Sequence, residues 1–549
     1  MSDDEWTNRA ALLAADPGLA VRLGGLSPGP ELRQRPDGAW VWGRGGHRPQ
    51  PIAWGPAEIS AAQAALPADA SEVVVLGPGD GALLRALLDA GRTVWAWARD
   101  PRLLLPVLSA PGLAGALRSG RLRLVAGVDL LRVPVRPAVA HPLFALPWAQ
   151  ERRGWEAGGP GARPVALVWA GGLFVDDIAE VLVGAGAFPW GVDSAPDELA
   201  RAAAVLGAQA VYAVNHTVGL AEQAAALGLH LREWEVDPAL DSLRPPAGPV
   251  GSAAVFTWRA AAVPGWQSAG WARVHHLPLA AHPARRRPLH GARPPIAVGF
   301  VGNSMVGEAR RCLALLHTEL DAFCAVVPGL DAAGAQRRLR RALDRQLAAP
   351  REWLLPEAVD EVLPGFRRFV RLRGHAWSVD AVLGEVAAAE KRLRVVGALA
   401  ERGVDVWGDA GWAAHARQPG VRHHGPVGHL HALTEVYNRV QINVDINRLY
   451  QPDIVTMRVF DVLACGGFVL AEHSAEIGAL FDVGREVVTW DGIPDLRAKV
   501  AHFLAHPAEA AAIAAAGRAR VLRDHTVERR LRQMEALDGG PRFWEGSSA

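Results

Sequence analysis

The side chains best equipped for chemistry gather in residues 436–491, where Arg458 and Asp461 stand one helical turn apart, shortly before Gly466-Gly467. A guanidinium such as Arg458 makes charge-assisted hydrogen bonds to a diphosphate, each worth roughly 1.5–3 kcal/mol when shielded from water, and serves as well in a structural ion pair. Asp453 lies upstream, next to Pro452, and Glu472 and His473 follow the apolar run 468–471, where they could face a sugar. The succession of apolar run, loop, helix and two further apolar runs is a βαβ pattern. In such units ligands collect at the carboxyl ends of the strands, where helix N-termini present free N–H groups to phosphate. The segment is predicted to handle a nucleotide, with Gly466-Gly467 ending the helix and admitting a tight turn.

Three other loops carry candidate groups. Gly302-Asn303-Ser304 follows the apolar strand 296–301, at the position where backbone amides approach phosphate or sugar. Asn215-His216-Thr217 and Trp234-Glu235-Val236-Asp237-Pro238 each follow a strand, which puts them toward the cleft of a parallel sheet. Gly77-x-Gly79-x-Gly81 follows the strand 73–76, and Asp100 ends the next one, a layout similar to the S-adenosylmethionine site of methyltransferases. Val75 stands where those enzymes usually carry an acid, and a lone glycine loop is a weak signal.

The run Arg458-Val459-Phe460-Asp461-Val462-Leu463-Ala464-Cys465-Gly466-Gly467-Phe468, followed by Phe481-Asp482-Val483-Gly484-Arg485-Glu486-Val487-Val488 and then His525-Thr526, resembles the CgeB-like (spore-maturation-type) glycosyltransferase family. The likeness continues upstream through Phe300-Val301-Gly302-Asn303-Ser304, Leu277-Pro278-Leu279-Ala280, Val255-Phe256-Thr257 and Trp234-Glu235-Val236-Asp237-Pro238, covering roughly residues 160–535. It implies an α/β, GT-B architecture: two Rossmann-like domains facing across a cleft, with the sugar nucleotide held mainly by the C-terminal one. The implied reaction moves a sugar from a nucleotide-sugar donor to a hydroxyl acceptor, in a surface polysaccharide, a spore coat or a flagellar protein.

The resemblance also suggests roles. Against the broader GT-B pattern of two glutamates separated by seven residues, Asp453 takes the first place and Asp461 the second, each one methylene shorter. A carboxylate there accepts both ribose hydroxyls; otherwise Asp461 caps the helix or pairs with Arg458. Gly302, Asn303, Ser304, Arg458, Glu472 and His473 complete the expected donor site. An inverting enzyme needs a base for the acceptor hydroxyl, for which His216 or Asp237 stands, whereas a retaining one relies on donor positioning. No tightly bound cofactor and no metal is expected; the nucleotide sugar is a substrate whose base is open. Two alternatives stay in view: methyl transfer by the glycine-loop domain, and a GT-B protein that binds without catalysis. The glycine-loop domain also loosely resembles the Rossmann-like region of motility-associated glycosylation proteins, which would make it an acceptor-docking or scaffold module.

Composition sets the frame for these residues. At 549 residues the chain is too long for one core and suggests about three or four units. With 58 basic against 57 acidic residues, no global field points to a nucleic acid or an anionic membrane, although local arginine clusters remain open. Lysine occurs only at 391 and 499, and the abundance of Arg, Ala, Gly and Pro reads as coding bias. Cys312, Cys324 and Cys465 are spaced for neither a disulfide framework nor zinc, and the start MSDDEWTN lacks a signal-peptide layout, so a cytoplasmic protein is expected. The stretch 202–231 is apolar but holds Asn215, His216, Thr217, Glu222 and Gln223 and is not expected to span a membrane.

The elements that must position the candidates read as follows. Residues 1–70 form an irregular or β-rich lead-in, 71–150 a Rossmann-like domain, 163–285 the acceptor-side GT-B domain and 295–538 the nucleotide-sugar domain. A helical insertion at about 307–384 follows the first strand of the last domain, and the Pro/Arg-rich stretch 282–295 is the expected hinge. A helix at about 382–392 leads to the strand 404–407, and 494–537 is amphipathic helix whose end is expected, by resemblance, to return to the N-terminal domain.

Overall fold

The computed structural model describes the chain except residues 1, 30, 44–48, 146, 196, 238–250, 290–295, 376, 430, 450, 452 and 545–549. The lead-in differs from expectation. It is mostly helical, with Asp3–Ala15, Pro17–Gly24 and Pro56–Ala65 around a small antiparallel sheet of β1 (Leu32–Gln34), β2 (Trp40–Trp42) and β3 (Gln50–Pro51). Its turn formers are caps: Ser2 accepts the amide of Glu5 (3.2 Å), Asp16 that of Leu19 (2.9 Å), and Pro17 opens the second helix.

Next comes a parallel sheet of β4 (Glu72–Leu76), β5 (Thr93–Ala98), β6 (Leu122–Ala126) and β7 (Ala138–Ala140), ordered β6-β5-β4-β7. A second parallel sheet holds β8 (Val165–Trp169), β9 (Phe188–Val192), β10 (Ala210–Val214), β11 (His230–Glu235), β12 (Ala253–Thr257) and β13 (Val274–His276), ordered β13-β12-β11-β10-β8-β9. Strand β9 was not legible because Pro189 interrupts its apolar run; it is an edge strand, where proline is tolerated. The first sheet is joined to the second through buried charge: Arg99 reaches Asp193 (2.8 Å) and Glu151 (3.2 Å), and Glu151 also accepts the amide of Gly191 (2.9 Å). One apolar core runs through both, with Trp97, Trp155, Trp190 and Trp266 fully buried in it.

The third sheet, β14 (Ile296–Val301), β15 (Val404–Trp407), β16 (Val421–His423), β17 (Val440–Val444), β18 (Phe468–Glu472) and β19 (Val488–Trp490), is parallel and ordered β16-β15-β14-β17-β18-β19. That is the doubly wound order whose switch point falls between β14 and β17. Helices Val306–Cys324, Ala332–Ala348, Leu355–Val362 and Phe366–Leu372 separate β14 from the helix Val379–Leu399 and share a core around Leu316, Leu320 and Phe366.

Arg259, just after β12, reaches Asp453 (2.9 Å), and His276 on β13 reaches Glu476 (3.2 Å), so carboxyl ends of the second and third sheets face each other across a cleft. The chain therefore has the α/β, GT-B arrangement. Its connector is anchored on both sides. Arg285 pairs with Asp177 (2.8 Å) on one domain and Arg286 with Asp461 (2.8 Å) on the other, while 290–295, the rest of the expected hinge, lies outside the described residues. The terminal stretch is three helices, Gly492–Ala505, Pro507–Asp524 and Val527–Asp538, broken at His506-Pro507 and His525-Thr526. The last returns to the domain built on the second sheet, where Asp538 pairs with Arg232 on β11 (3.2 Å) and Arg530 donates to the carbonyls of Pro278 (2.7 Å) and Leu279 (3.1 Å). Among the described residues no helix is long and apolar enough to cross a membrane.

Candidate functional site

A crevice of about 730 Å³ opens beside the switch point of the third sheet. Its floor is the loop after β14. Gly302 donates to the Trp407 carbonyl (2.8 Å) and accepts from the Trp412 indole (2.8 Å), which ties the loop to β15. Ser304 is buried, its amide on Asp409 (2.8 Å) and its hydroxyl accepting the amide of Val306 (3.1 Å). Met305, at φ +62°, turns the chain into the helix Val306–Cys324. Gly307 and Glu308, in that helix's first turn, line the crevice, and their amides have no acceptor among the described residues.

Cations dominate the walls. Arg311, Arg392, Arg448 and Arg458 line the crevice with Glu308, Glu385 and Asp409. Arg392 donates to the Asn303 carbonyl (2.7 Å), fixing the floor to the helix Val379–Leu399, and Arg448 stands 3.8 Å from Glu385. Arg458 holds both sides of the switch point: it donates to the Val301 carbonyl of β14 (2.7 Å), pairs with Asp445 just after β17, and lies 4.8 Å over the Phe300 ring. The structural ion pair weighed for Arg458 is thus present, while its guanidinium still lines the crevice.

Glu472 ends β18 and is engaged. Lys391 bonds one carboxylate oxygen (2.6 Å) and the Asn447 amide the other (2.8 Å), and Lys391 also donates to the Asn447 carbonyl (3.2 Å). Burial raises the Glu472 pKa against the opposing pull of Lys391. The pair staples the loop carrying Arg448 to the helix carrying Glu385 and Arg392. His473 is exposed beyond it.

Asp461 does not join this group. Its carboxylate is buried against Arg286 (2.8 Å), and Arg286 further donates to Thr434 (3.1 Å) and to the His429 carbonyl (2.6 Å). On the helix Met457–Ala464, Arg458 faces the switch point while Asp461 faces the connector, so the spacing that suggested a shared site puts the two on different sides. Asp453 likewise pairs across the cleft with Arg259 (2.9 Å). Gly466-Gly467 closes the helix as read: the amides of Gly466 and Gly467 bond the carbonyls of Leu463 (2.9 Å) and Val462 (3.0 Å), with Gly466 at φ +75°.

On the second sheet's side of the cleft, His216 Nδ1 meets Glu233 (3.0 Å), and its ring stands edge-on to Trp266 and Trp271 (both 5.4 Å). Burial pulls its pKa down, but the bond to Glu233 and that residue's charge outweigh it, leaving the pKa raised. Asp237 accepts from the Asn215 amide group (3.0 Å), while the Asn215 carbonyl takes the amides of Val236 (2.9 Å) and Asp237 (3.0 Å). Asp237 therefore belongs to a loop brace held by Asn215 at φ +63°; its neighbour Pro238 lies outside the described residues.

The glycine loop of the first sheet is filled by the chain itself. A methyl at Gly79 would run into the Ile52 carbonyl, and one at Gly77 into the Phe144 ring. Trp54 donates to the Gly77 carbonyl (3.2 Å), and Asp100, at the end of the next strand, is bonded by Arg102 (2.9 Å). No room is left at this loop for S-adenosylmethionine in the expected manner, which removes the physical basis of the methyltransferase alternative.

Lys391, Arg392, Glu385, Asp445 and Arg448 were not singled out from the sequence. The scarcity of lysine was the available signal: a lysine kept where arginine is otherwise universal marks a site that needs a compact ammonium.

Residues 385–536 match the sequence profile of the family described as Glycosyl transferase-like. That segment is thus similar to a glycosyltransferase domain. It contains the crevice residues Glu385, Arg392, Arg448 and Arg458, together with the Lys391–Glu472 pair. No curated protein matches the chain. Among solved structures it is similar to a glycosyltransferase from Rickettsia africae ESF-5 (8% identity, covering 85% of this chain and 99% of that one, TM-score 0.36). It is also similar to sucrose-phosphate synthase from Thermosynechococcus elongatus (12%, 85% and 98%, 0.36). A third likeness is to Anabaena HepE in complex with UDP and glucose (11%, 85% and 98%, 0.31).

Proposed function

We propose that the chain is a glycosyltransferase of the CgeB-like type, moving a hexosyl or related group from a nucleotide-sugar donor to a hydroxyl on a glycan or protein. The observation that carries this reading is the arginine-walled crevice at the switch point, to which the glycosyltransferase-like match contributes Glu385, Arg392, Asp409, Arg448 and Arg458. The donor diphosphate sits at the first turn of Val306–Cys324, where the amides of Gly307 and Glu308 and the helix dipole favour negative charge. Arg392 and Arg448 face it and stabilise the diphosphate as it leaves, the charge that grows in the transition state. Glu385 is the carboxylate best placed to accept donor hydroxyls, the role first given to Asp461. His216, oriented by Glu233, has the base-and-orienter arrangement an inverting transfer needs. The three free cysteines fit a reducing compartment, and we assign the activity to the cytoplasm.

The test is thermal denaturation with UDP, GDP, dTDP, ADP, CMP and S-adenosylhomocysteine. A ligand at a hundred times its Kd stabilises the binding state by about 2.7 kcal/mol. Stabilisation by one nucleoside diphosphate, lost in Arg448→Ala, supports the reading and names the base; silence across the nucleotides overturns it.

A further inference from the structure

Among the described residues, three side chains of the kind that bind metal ions come together where two helices of the terminal stretch meet: His502, His506 and Glu509. Each offers a ligand atom, and these atoms all lie within 4.8 Å of one another. His502 is in the last turn of Gly492–Ala505, His506 stands between the helices, and Glu509 is in the first turn of Pro507–Asp524. An i, i+4, i+7 spacing aligns side chains on a continuous helix, and here the grouping survives the break at Pro507.

The backbone beneath the three is fixed. Phe503 and Ala510, the neighbours of His502 and Glu509, are buried in the core of the third sheet, and the Phe503 ring lies 4.6 Å from that of Phe468. The three polar side chains themselves are exposed. The His506 imidazole is also held in place: the His502 carbonyl takes the His506 amide (2.9 Å) and lies 2.8 Å from its Nδ1. A carbonyl can only accept, so Nδ1 carries the hydrogen and Nε2 keeps a lone pair for a ligand. Such a carbonyl on one ring nitrogen is the support that sets tautomer and ring orientation in metal-binding histidines. The His506 ring stacks on that of His502 (centroids 4.3 Å apart), and His502 Nε2 reaches the Glu509 carboxylate (2.8 Å). A surface ion pair accounts for the last contact alone and gives no role to the carbonyl-held ring beside it.

We propose that His502, His506 and Glu509 bind a late first-row divalent cation such as zinc, which clips the two helices together across their break. Two imidazoles and a carboxylate suit zinc, nickel or copper, whereas calcium and magnesium take oxygen ligands. Ligand atoms roughly 2.0–2.1 Å from a tetrahedral ion stand about 3.3 Å apart, so the 2.8 Å contact opens by about half an ångström, a change that exposed side chains make by rotation. The proton between His502 Nε2 and Glu509 passes to Nδ1 or to water, and a water fills the fourth position. The ion's role is structural. Phe468 opens β18, so the histidines lie toward the amino ends of the strands, while the crevice opens beyond their carboxyl ends. The proposal therefore does not rest on the sugar-transfer reading.

The test titrates ZnCl2 into the full chain, untagged and dialysed against EDTA, with calorimetry and hydrogen exchange as readouts. Zinc should bind and slow amide exchange at residues 502–510, and EDTA should reverse both. Affinity should fall at least roughly tenfold in His506→Ala and in Glu509→Gln. Both residues are exposed, so the variants should fold and melt like the unaltered chain when zinc is absent. The chain has 19 histidines, so the variants and the place of the protection carry the decision. Equal zinc affinity in the variants, or no zinc-dependent protection at residues 502–510, would overturn the proposal and leave His502 with Glu509 as a surface ion pair.

Discussion

Acid should loosen the return of the last helix to the acceptor-side domain, and His525 should be the cause. Its Nε2 lies 3.1 Å from the Leu480 carbonyl and its Nδ1 lies 2.8 Å from an Arg530 nitrogen. Arg530 can only donate and a carbonyl can only accept, so the network assigns the neutral Nε2–H tautomer. Burial, then the charge of Arg530, lowers the pKa from 6.5 to about 4. The unfolded chain takes up this proton below about pH 6.5 while the folded chain resists it until about pH 4, so folding stability is present above 6.5 and falls as pH falls. Between pH 7.5 and 4 the loss is roughly 3 kcal/mol, about two decades in a local opening constant.

Other groups titrate in this window, so the useful quantity is a difference. His525→Phe keeps a ring between Phe460 and Phe481 but cannot take a proton, and it removes one of the acceptors of Arg530. The variant should be less stable at neutral pH, and its deficit should shrink by roughly 3 kcal/mol as pH approaches 4. Hydrogen exchange of the amides in Val527–Asp538, compared at matched pH, reads this directly. A deficit constant between pH 7.5 and 4 would refute the protonation argument.

Other perturbations separate the site from its supports. Asp461→Ala should lower stability by about 3–5 kcal/mol, because buried Arg286 loses its carboxylate partner, while nucleotide affinity stays unchanged; a lost thermal shift with the nucleoside diphosphate would return Asp461 to the ribose site. Arg448→Ala should weaken nucleoside diphosphate binding by roughly ten- to a hundredfold without a comparable fall in melting temperature, as judged by calorimetric titration. Lys391→Met should destabilise the crevice, with much of the loss recovered by Glu472→Gln in the same chain; additive losses would show that the pair is uncoupled. Gly79→Ala should destabilise through both φ +63° and the Ile52 carbonyl, and S-adenosylhomocysteine should not move the melting curve of the unaltered chain.

The parallel sheets were legible because their strands are short apolar runs bounded by glycine, which do not depend on distant partners. Strand β9 and the capped lead-in helices were not, since Pro189 and the caps at Ser2 and Asp16 imitate loop signals unless the neighbouring chain is seen. Gly302, Asn303 and Arg458 come together at the crevice because they adjoin strand ends. Asp461 parts from Arg458 for a rotational reason: residues three apart on a helix are neighbours only roughly, and here a connector arginine, Arg286, from 175 residues upstream meets the carboxylate. The Lys391–Glu472 pair joins groups far apart in sequence: Glu472 stands out by its place after a strand, but nothing local announces its partner except the rarity of lysine.

The same long-range logic explains why the first sheet has a nucleotide-binding outline and no room for the expected ligand. A Rossmann-like unit keeps its glycine turns for local geometry as well as for phosphate: Gly77 and Gly79 both hold φ above +60°. Once Trp54, Ile52 and Phe144 pack into the loop, those glycines serve close approach of the chain to itself. Buried pairs such as Arg99 with Asp193 then fix this unit to the acceptor-side domain. Donor-linked motion should accordingly occur across the contacts of Arg259 with Asp453 and of His276 with Glu476. Both are ion-pair contacts at the cleft, with side chains 22% and 25% exposed in the first and 28% and 15% in the second. Partly exposed pairs of this kind contribute little net stability, so they can open without a large cost. Such motion leaves the first sheet fixed to the half of the cleft built on the second sheet while the other half moves.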